Sequence, residues 1–99
     1  MILLDIILDD EKSAGKISSF LIKEKYAVQT HIDTNTILTF EGKKKTIRLF
    51  FITKSLLYST IETEVKNKFY SPGMIIYATP VSHINEEFGE TLRKNIKAI

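Results

Sequence analysis

The sequence predicts an α+β fold whose elements follow the order β α β β α β, with one more helix at the end. Three observations support this order. An apolar run from Ile2 to Leu8 opens the chain, and the stretch from Thr34 to Thr53 holds two β-rich runs joined by a Gly-Lys connection. Two amphipathic segments separate the strands. Because each crossover helix returns the chain to the same sheet, the predicted fold class is a ferredoxin-like βαββαβ sandwich.

The first strand and helix are predicted from the start of the chain. Ile2 to Leu8 is apolar except at Asp5, which is typical of a central strand buried on both faces and makes Asp5 a candidate buried carboxylate. A helix from about Glu11 to Lys25 follows, and the carboxylates at its start can cap its free N–H groups. One stripe of this helix consists of Ala14, Ile17, Ser18, Leu21 and Ile22.

A second strand and a β-hairpin are predicted in the middle of the chain. Tyr26 to Ile32 alternates loosely and predicts a strand, which either ends at the break Asp33–Asn35 or continues into the first hairpin arm, Thr36–Phe40. Gly42 can take a positive φ without steric cost, so a turn beginning there brings the arms together antiparallel. The second arm, Thr46–Ile52, is expected to end near Thr53.

The last part of the chain predicts a helix, a strand and a final helix. Apolar residues recur every four positions between Ser55 and Phe69, which indicates an amphipathic helix. A turn at Tyr70–Gly73 leads into a strand from Met74 to Val81, which Pro80 restricts to an edge or a terminus. The final helix begins at Glu86-Glu87, and its apolar face carries Phe88, Leu92, Ile96 and Ile99.

Length and composition limit the class of protein. Ninety-nine residues with 43% hydrophobic content predict a single domain over residues 1–99. A net charge of +2 does not indicate a nucleic-acid partner, and the absence of cysteine excludes a disulfide framework and thiolate ligands. The apolar start is too short to span a bilayer and lacks a signal-peptide pattern. We therefore expect a cytoplasmic protein without a membrane partner.

The strand patterns also predict self-association. In a ferredoxin-like fold both crossover helices cover one face of the sheet and leave the other bare. The first and third strands are nonetheless apolar on both sides, so several hundred Å² of apolar surface remain uncovered, more than soluble monomers usually expose. We therefore expect an obligate homo-oligomer built through the sheet and the hairpin.

The whole chain resembles the CutA family of divalent-cation tolerance proteins, which are small trimers related in fold to the PII signalling proteins. Phe40-Glu41-Gly42-Lys43 is similar to the family's Trp-Glu-Gly-Lys. Asp9–Ala14 resembles its Pro-Asp-Glu-x-x-Ala run, Ile52–Lys54 resembles the end of its third strand, and Phe69–Ile75 resembles the turn into its fourth. The resemblance implies a homotrimer that is not an enzyme, has a role linked to divalent metal-ion tolerance, copper included, and binds a metal or small ligand in clefts between subunits.

The chain departs from the family pattern at positions that bear on function. The cysteine that the family usually carries on its second strand corresponds to Gln29, and the turn histidine corresponds to Lys68. Lys43, Lys44 and Lys45 replace the acidic tip of the hairpin. Copper binding through a thiolate is therefore not available to this chain.

The candidate metal ligands are His31, His83 and Glu41. Divalent copper or zinc takes nitrogen and oxygen ligands, so the histidines need nearby carboxylates, for which Asp33, Glu86 and Glu87 are further candidates. No HxxxH or HxxE spacing supports such a site. The alternative is that both histidines are ordinary surface or strand residues, and no cofactor is certain.

A second function is a PII-like regulatory module that binds a nucleotide or another anion. Its candidate ligand-binding residues are Lys43, Lys44, Lys45 and Arg48. The chain has neither a P-loop nor a GxGxxG motif, so the lysines can equally be a charged hairpin tip that resists edge-to-edge aggregation.

The subunit interface implied by the resemblance includes Phe40, Glu41, Lys54 and Tyr70. Glu41 is expected near a subunit boundary, where Lys54 of a neighbouring strand end can pair with it. Such an ion pair favours the register of assembly more than its stability, because desolvation of both charges offsets most of their attraction. No nucleophile elbow or related catalytic motif is present, so we do not expect an enzyme.

Overall fold

The four strands form one antiparallel sheet in the order β2-β3-β1-β4. The structure, a computed structural model, describes residues 1–98. Its elements are β1 (Ile2–Leu8), α1 (Glu11–Lys23), β2 (His31–Thr39), β3 (Gly42–Thr53), a short 3-10 turn (Ser55–Leu57), α2 (Tyr58–Phe69), β4 (Ile75–Pro80) and α3 (Glu86–Asn95). The predicted α+β class and the order of the elements are confirmed.

The main core lies between one face of the sheet and the helices. Alternate residues of β1 and β3 point to this face because side chains alternate along a strand, and Leu4 is paired with Phe51 and Ile6 with Leu49 in the antiparallel register. All four are at most 1% exposed. The helices contribute buried apolar side chains to the same core, namely Ala14, Ile17, Leu21, Ile61, Val65 and Leu92.

Helix α1 begins and ends through specific hydrogen bonds. The Asp10 carboxylate caps its start, because it accepts from the Lys12 backbone N–H at 3.1 Å and from the Ser13 hydroxyl at 2.7 Å. At the other end Lys25 takes a positive φ of 62°, and the next N–H, of Tyr26, donates to the Leu21 carbonyl at 2.9 Å. This left-handed residue turns the chain out of the helix.

The prediction of a strand from Tyr26 to Ile32 is wrong for residues 26–30. Tyr26 follows the end of α1 and is buried in the core at 2% exposure, and β2 begins only at His31. The alternative of a strand that continues into the first hairpin arm is confirmed, because Asp33 pairs with Arg48 and Asn35 with Thr46 in a continuous ladder without a break. Cross-strand pairing with β3 outweighs the low β-propensity of Asp and Asn.

The hairpin turn lies nearer the N-terminus than the lysine run. Gly42 takes the predicted positive φ, 118°, but the two connecting residues are Phe40 and Glu41. Lys43, Lys44 and Lys45 therefore lie within β3 rather than at the tip, where they pair with Leu38, Ile37 and Thr36. The prediction of a lysine tip is wrong because the turn needs only two residues.

The hairpin extends beyond the rest of the sheet. Strand β1 pairs with β3 only from Ile47 to Thr53, so within residues 1–98 the segment 42–46 of β3 pairs with β2 alone. These five residues correspond to roughly 17 Å of two-stranded ribbon at about 3.4 Å per residue. We call residues 36–46 the hairpin extension.

The C-terminal elements follow the prediction closely. Pro80 lies at the end of the edge strand β4, as its missing N–H requires. Helix α3 ends at Asn95, and Ile96 is extended but buried at 3% exposure, so it reaches the core without being helical. The Lys54 ammonium group donates to the carbonyls of Ile96 and Lys97 at 3.2 Å each. Ile99, predicted on the same face, lies outside the described residues.

Candidate functional site

The sheet face opposite α1 and α2 carries a row of interacting polar and aromatic side chains. Arg48 Nε donates to Asp5 Oδ1 at 2.6 Å, and the Arg48 guanidinium lies 4.0 Å from the centroid of the Phe50 ring. The His31 imidazole stacks on Phe50, with centroids 4.9 Å apart and planes 15° apart. Phe50 is opposite both His31 of β2 and Asp5 of β1 in the register, so these side chains share one face of the sheet. We call it the open face.

The Asp5–Arg48 ion pair is buried on one side only. The Asp5 side chain is 3% exposed, whereas that of Arg48 is 33% exposed. Arg48 therefore compensates the charge of the buried carboxylate from the surface of the sheet, and its contact with the Phe50 ring fixes the guanidinium plane. The sequence-based prediction that Asp5 is a buried carboxylate is confirmed, and its partner is a residue that the sequence suggested for another purpose.

A small cavity lies where the open face meets α3. Its volume is about 100 Å³, and its apolar walls come from β1, the connection before β2, β3 and α3, namely Leu3, Val28, Phe51, Ile52 and Phe88. Gln29, His31 and Phe50 complete the lining. The Gln29 side-chain nitrogen lies 3.2 Å from His31 Nε2. We call this feature the Gln29 cavity.

The hairpin extension exposes large apolar side chains. Phe40 is 98% exposed and Leu38 is 78% exposed. The turn itself is ordered by Thr39, whose hydroxyl donates to the Gly42 carbonyl at 3.0 Å and accepts from the Glu41 N–H at 3.1 Å. An ordered turn thus presents an aromatic ring to solvent.

The basic residues proposed for an anion site divide between the two faces of the hairpin extension. Side chains alternate along β3, so Lys44 and Arg48 point to the open face, whereas Lys43 and Lys45 point to the opposite face. The structure therefore places Lys44 and Arg48 on one face, roughly 14 Å apart along the strand, and it places the other two lysines on the opposite face.

The candidate metal ligands lie apart in one chain. His31 begins β2, and Glu41 lies past its end, so the eight residue steps of the strand alone place them on the order of 27 Å apart. His83 lies in the exposed connection between β4 and α3. Among residues 1–98 no group of three or more His, Cys, Asp or Glu side chains is placed to hold a metal ion.

The residues implied at a subunit interface occupy different parts of the surface. Phe40 and Glu41 form the hairpin turn, and Tyr70 is 67% exposed in the turn after α2. Lys54 is bound to the last carbonyls of the α3 segment within its own chain. Because an ammonium group has three donor hydrogens, one donor of Lys54 is left for a further partner.

Sequence reasoning missed the roles of Phe50, Gln29 and Phe88. The contact between Asp5 and Arg48 can be found from sequence only after β1 and β3 are aligned, since a one-residue shift puts the two side chains on opposite faces. Phe88 reaches the Gln29 cavity from α3, an element that sequence order does not position. In the sequence Gln29 marks only the position of the family's cysteine, and Phe50 and Phe88 lie in no motif that points to a site.

No protein-family model matches the sequence, and no curated protein sequence matches it. No helix within the described residues is long and apolar enough to cross a membrane.

Solved structures with the same architecture are nevertheless numerous, and they match over nearly the whole chain. CutA1 from Pyrococcus horikoshii has a TM-score of 0.89 and 19% identity, with 99% of this chain and 100% of that chain covered. The periplasmic divalent cation tolerance protein CutA from Archaeoglobus fulgidus has a TM-score of 0.86 and 20% identity, with 98% and 100% covered. The divalent cation tolerance protein from Thermus thermophilus has a TM-score of 0.80 and 21% identity, with the same coverage. The chain therefore has the fold of the CutA proteins over its full described length.

Proposed function

We propose that this chain is a homotrimeric, non-enzymatic CutA-like protein whose role is linked to divalent metal-ion tolerance. The full-length structural similarity to CutA proteins carries the proposal, because it covers every element from β1 to α3. The similarity between Phe40-Glu41-Gly42-Lys43 and the family's Trp-Glu-Gly-Lys supports it at the hairpin turn.

The geometry of one chain favours assembly into a closed ring. Within residues 1–98 the hairpin extension is not paired with β1, and its Phe40 and Leu38 side chains are exposed. The other edge strand, β4, exposes Ile75 at 49% and Tyr77 at 43%. Two different surfaces that bind each other in successive copies form a heterologous contact, which closes into a ring when the rotation permits. A trimer of this kind covers both surfaces.

A metal site in this protein is built from more than one chain. His31 and Glu41 of one subunit are too far apart to share an ion, since metal–ligand distances are only about 2 Å. In a head-to-tail ring, by contrast, the hairpin turn of one subunit reaches a neighbour. Copper or zinc held by imidazole and carboxylate groups at such a boundary links ion binding to assembly.

Calorimetric titration tests the metal role. We expect the assembled protein to bind Cu²⁺ or Zn²⁺ saturably, and we expect His31→Ala to weaken binding at least about tenfold through loss of one ligand. His83→Ala tests the second candidate, and Glu41→Gln tests the carboxylate without changing the turn. Glu11→Gln, which removes an exposed carboxylate of α1, is the control. Titrations without saturable heat for either ion contradict the metal role.

A second candidate function is anion binding on the open face of the hairpin extension. The observation in its favour is that the exposed Lys44 ammonium group lies on the same face as Arg48, whose guanidinium is bound to Asp5 but remains 33% exposed beside the extension. We expect ATP binding that is lost in Lys44→Ala and retained in Lys43→Ala, whose side chain points to the other face. Equal effects of the two variants contradict this function.

A further inference from the structure

The Gln29 cavity combines features that ordinary packing does not require. Most of its lining is apolar, and two hydrogen-bonding groups, the Gln29 amide and the His31 imidazole, lie side by side. An apolar cleft with a few convergent polar groups is the usual form of a small-molecule site. We propose that the cavity binds a small, neutral, planar ring that carries a donor and an acceptor on adjacent atoms, as azoles and lactams do.

The size of the cavity sets the size of the ligand. A volume of about 100 Å³ is somewhat below the roughly 150 Å³ of an engineered apolar cavity that accepts benzene. A ring of five atoms fits this space, and a six-membered ring fits if it extends through the open side. The apolar walls at Leu3, Ile52 and Phe88 favour a ring over a polar chain because they offer no hydrogen bonds.

The absence of charge in the lining favours a neutral ligand. No Asp, Glu, Lys or Arg side chain lines the cavity in the part of the chain that the structure describes. Arg48 contacts the Phe50 ring of the lining, but it is bound to Asp5, so its charge is already compensated. A charged ring would lose its hydration without gaining a counter-charge.

The orientation of Gln29 gives the hydrogen-bonding pattern. Its amide nitrogen lies 3.2 Å from His31 Nε2, so the amide donates and the imidazole accepts. One further N–H and the carbonyl oxygen of Gln29 remain as an adjacent donor and acceptor. A ligand with N–H and N or C=O on neighbouring atoms pairs with both at once.

The His31–Phe50 stack holds this arrangement in place. The rings are 15° from parallel with centroids 4.9 Å apart, which restricts the rotation of the imidazole that receives the Gln29 hydrogen bond. His31 is thus a positioning residue for the Gln29 amide.

Titration of the full-length, uniformly 15N-labelled protein with pyrazole tests the inference. Pyrazole is neutral and has adjacent N–H and N atoms. We expect saturable shifts of the backbone amide signals of residues 28–31 and 50–52, with a Kd on the order of 1 mM for so small a ligand. Because 1-methylpyrazole lacks the donor, we expect it to bind about tenfold more weakly.

Two variants separate specific binding from general affinity for apolar surface. Gln29→Leu keeps a side chain of similar length but removes the amide, so pyrazole binding is expected to fall about tenfold with an unchanged far-ultraviolet circular dichroism spectrum. Asn35→Leu removes an exposed amide from the same face of β2 and is expected to leave binding unchanged. Val28→Phe, which fills the cavity, is expected to abolish the shifts.

Several results would overturn the inference. The first is a set of shifts that do not saturate, and the second is shifts at a different surface groove, which Ile2, Tyr58 and Tyr77 line. The others are equal binding of pyrazole and 1-methylpyrazole, and full binding by Gln29→Leu.

Discussion

Arg48 Nε lies 2.6 Å from Asp5 Oδ1, across the two central strands of the sheet. The contact joins a carboxylate that is 3% exposed to a guanidinium that is 33% exposed. Removal of one partner leaves a buried charge without compensation, which costs more than the pair contributes to stability. The ion pair therefore specifies the register of β1 and β3 more than it adds to the free energy of folding.

We predict that Arg48→Met lowers the free energy of unfolding by about 3 kcal/mol, because it strands the Asp5 carboxylate. The double variant Asp5→Leu/Arg48→Met is expected to recover most of this loss. Urea denaturation at one fixed protein concentration measures both. Lys44→Met, on the same face but without an ion pair in the described structure, is the control. A double variant less stable than Arg48→Met contradicts this view of the pair.

We predict that stability falls as the pH rises from 10 to 12. Burial, and secondly the hydrogen bond that Tyr26 donates to Glu64 at 2.9 Å, raises the pKa of Tyr26 from 10.0 to about 12. Since the folded state holds this proton more tightly than the unfolded state, the stabilisation is complete below pH 10 and is lost as the pH approaches 12.

Tyr26→Phe is expected to reduce the fall of the free energy of unfolding with pH, as measured by urea denaturation between pH 9 and pH 12. It does not remove the slope, because burial followed by a hydrogen bond to Glu62 also raises the pKa of Tyr58. Tyr70→Phe, at an exposed tyrosine, is the control. An identical slope in Tyr26→Phe and the unsubstituted protein would contradict the assignment.

We predict that Gly15→Ala stabilises the protein by about 0.5–1 kcal/mol, since glycine is unfavourable inside a helix. Gly15 lies in the exposed part of α1, and an added Cβ meets no atom within 4 Å. Gly42→Ala is expected to destabilise the protein, because φ is +118° at that position and a residue with a Cβ is strained there. Thermal unfolding of both variants measures the difference. Destabilisation by Gly15→Ala is the result that does not fit.

We predict that Phe40→Ser weakens assembly without unfolding the subunit. Phe40 is 98% exposed in one chain, so its removal costs no intramolecular packing. Sedimentation velocity over a range of concentrations is expected to show dissociation of the variant at concentrations where the unsubstituted protein stays assembled. Leu56→Ser, at a side chain that is 76% exposed beside α2, tests whether any exposed apolar residue has the same effect.

Local signals predict most of the fold. The four-residue repeat of α2 and the apolar run of β1 are confirmed because burial dictates both patterns. The Tyr26 segment resembles a strand because its local β-propensity conceals two contacts, the backbone bond to Leu21 that closes α1 and the hydroxyl bond to the distant Glu64. The lysines resemble a hairpin tip because sequence does not reveal that the turn has only two residues.

The candidate sites are less predictable than the fold. Sequence identifies Arg48 and His31 as functional candidates, but it does not show that both contact Phe50. Such contacts depend on the pairing register of three strands, in which each one-residue shift moves a side chain to the other face. The Gln29 cavity depends in addition on where α3 packs.

In the function proposed above, identical copies of this chain cover the exposed surfaces of the sheet and of the hairpin extension. Static light scattering coupled to size-exclusion chromatography at micromolar concentration measures the mass of the assembly directly. We predict a particle of about 34 kDa, three chains of 11.4 kDa. A stable particle of 11.4 kDa that persists as the concentration is raised would contradict self-association.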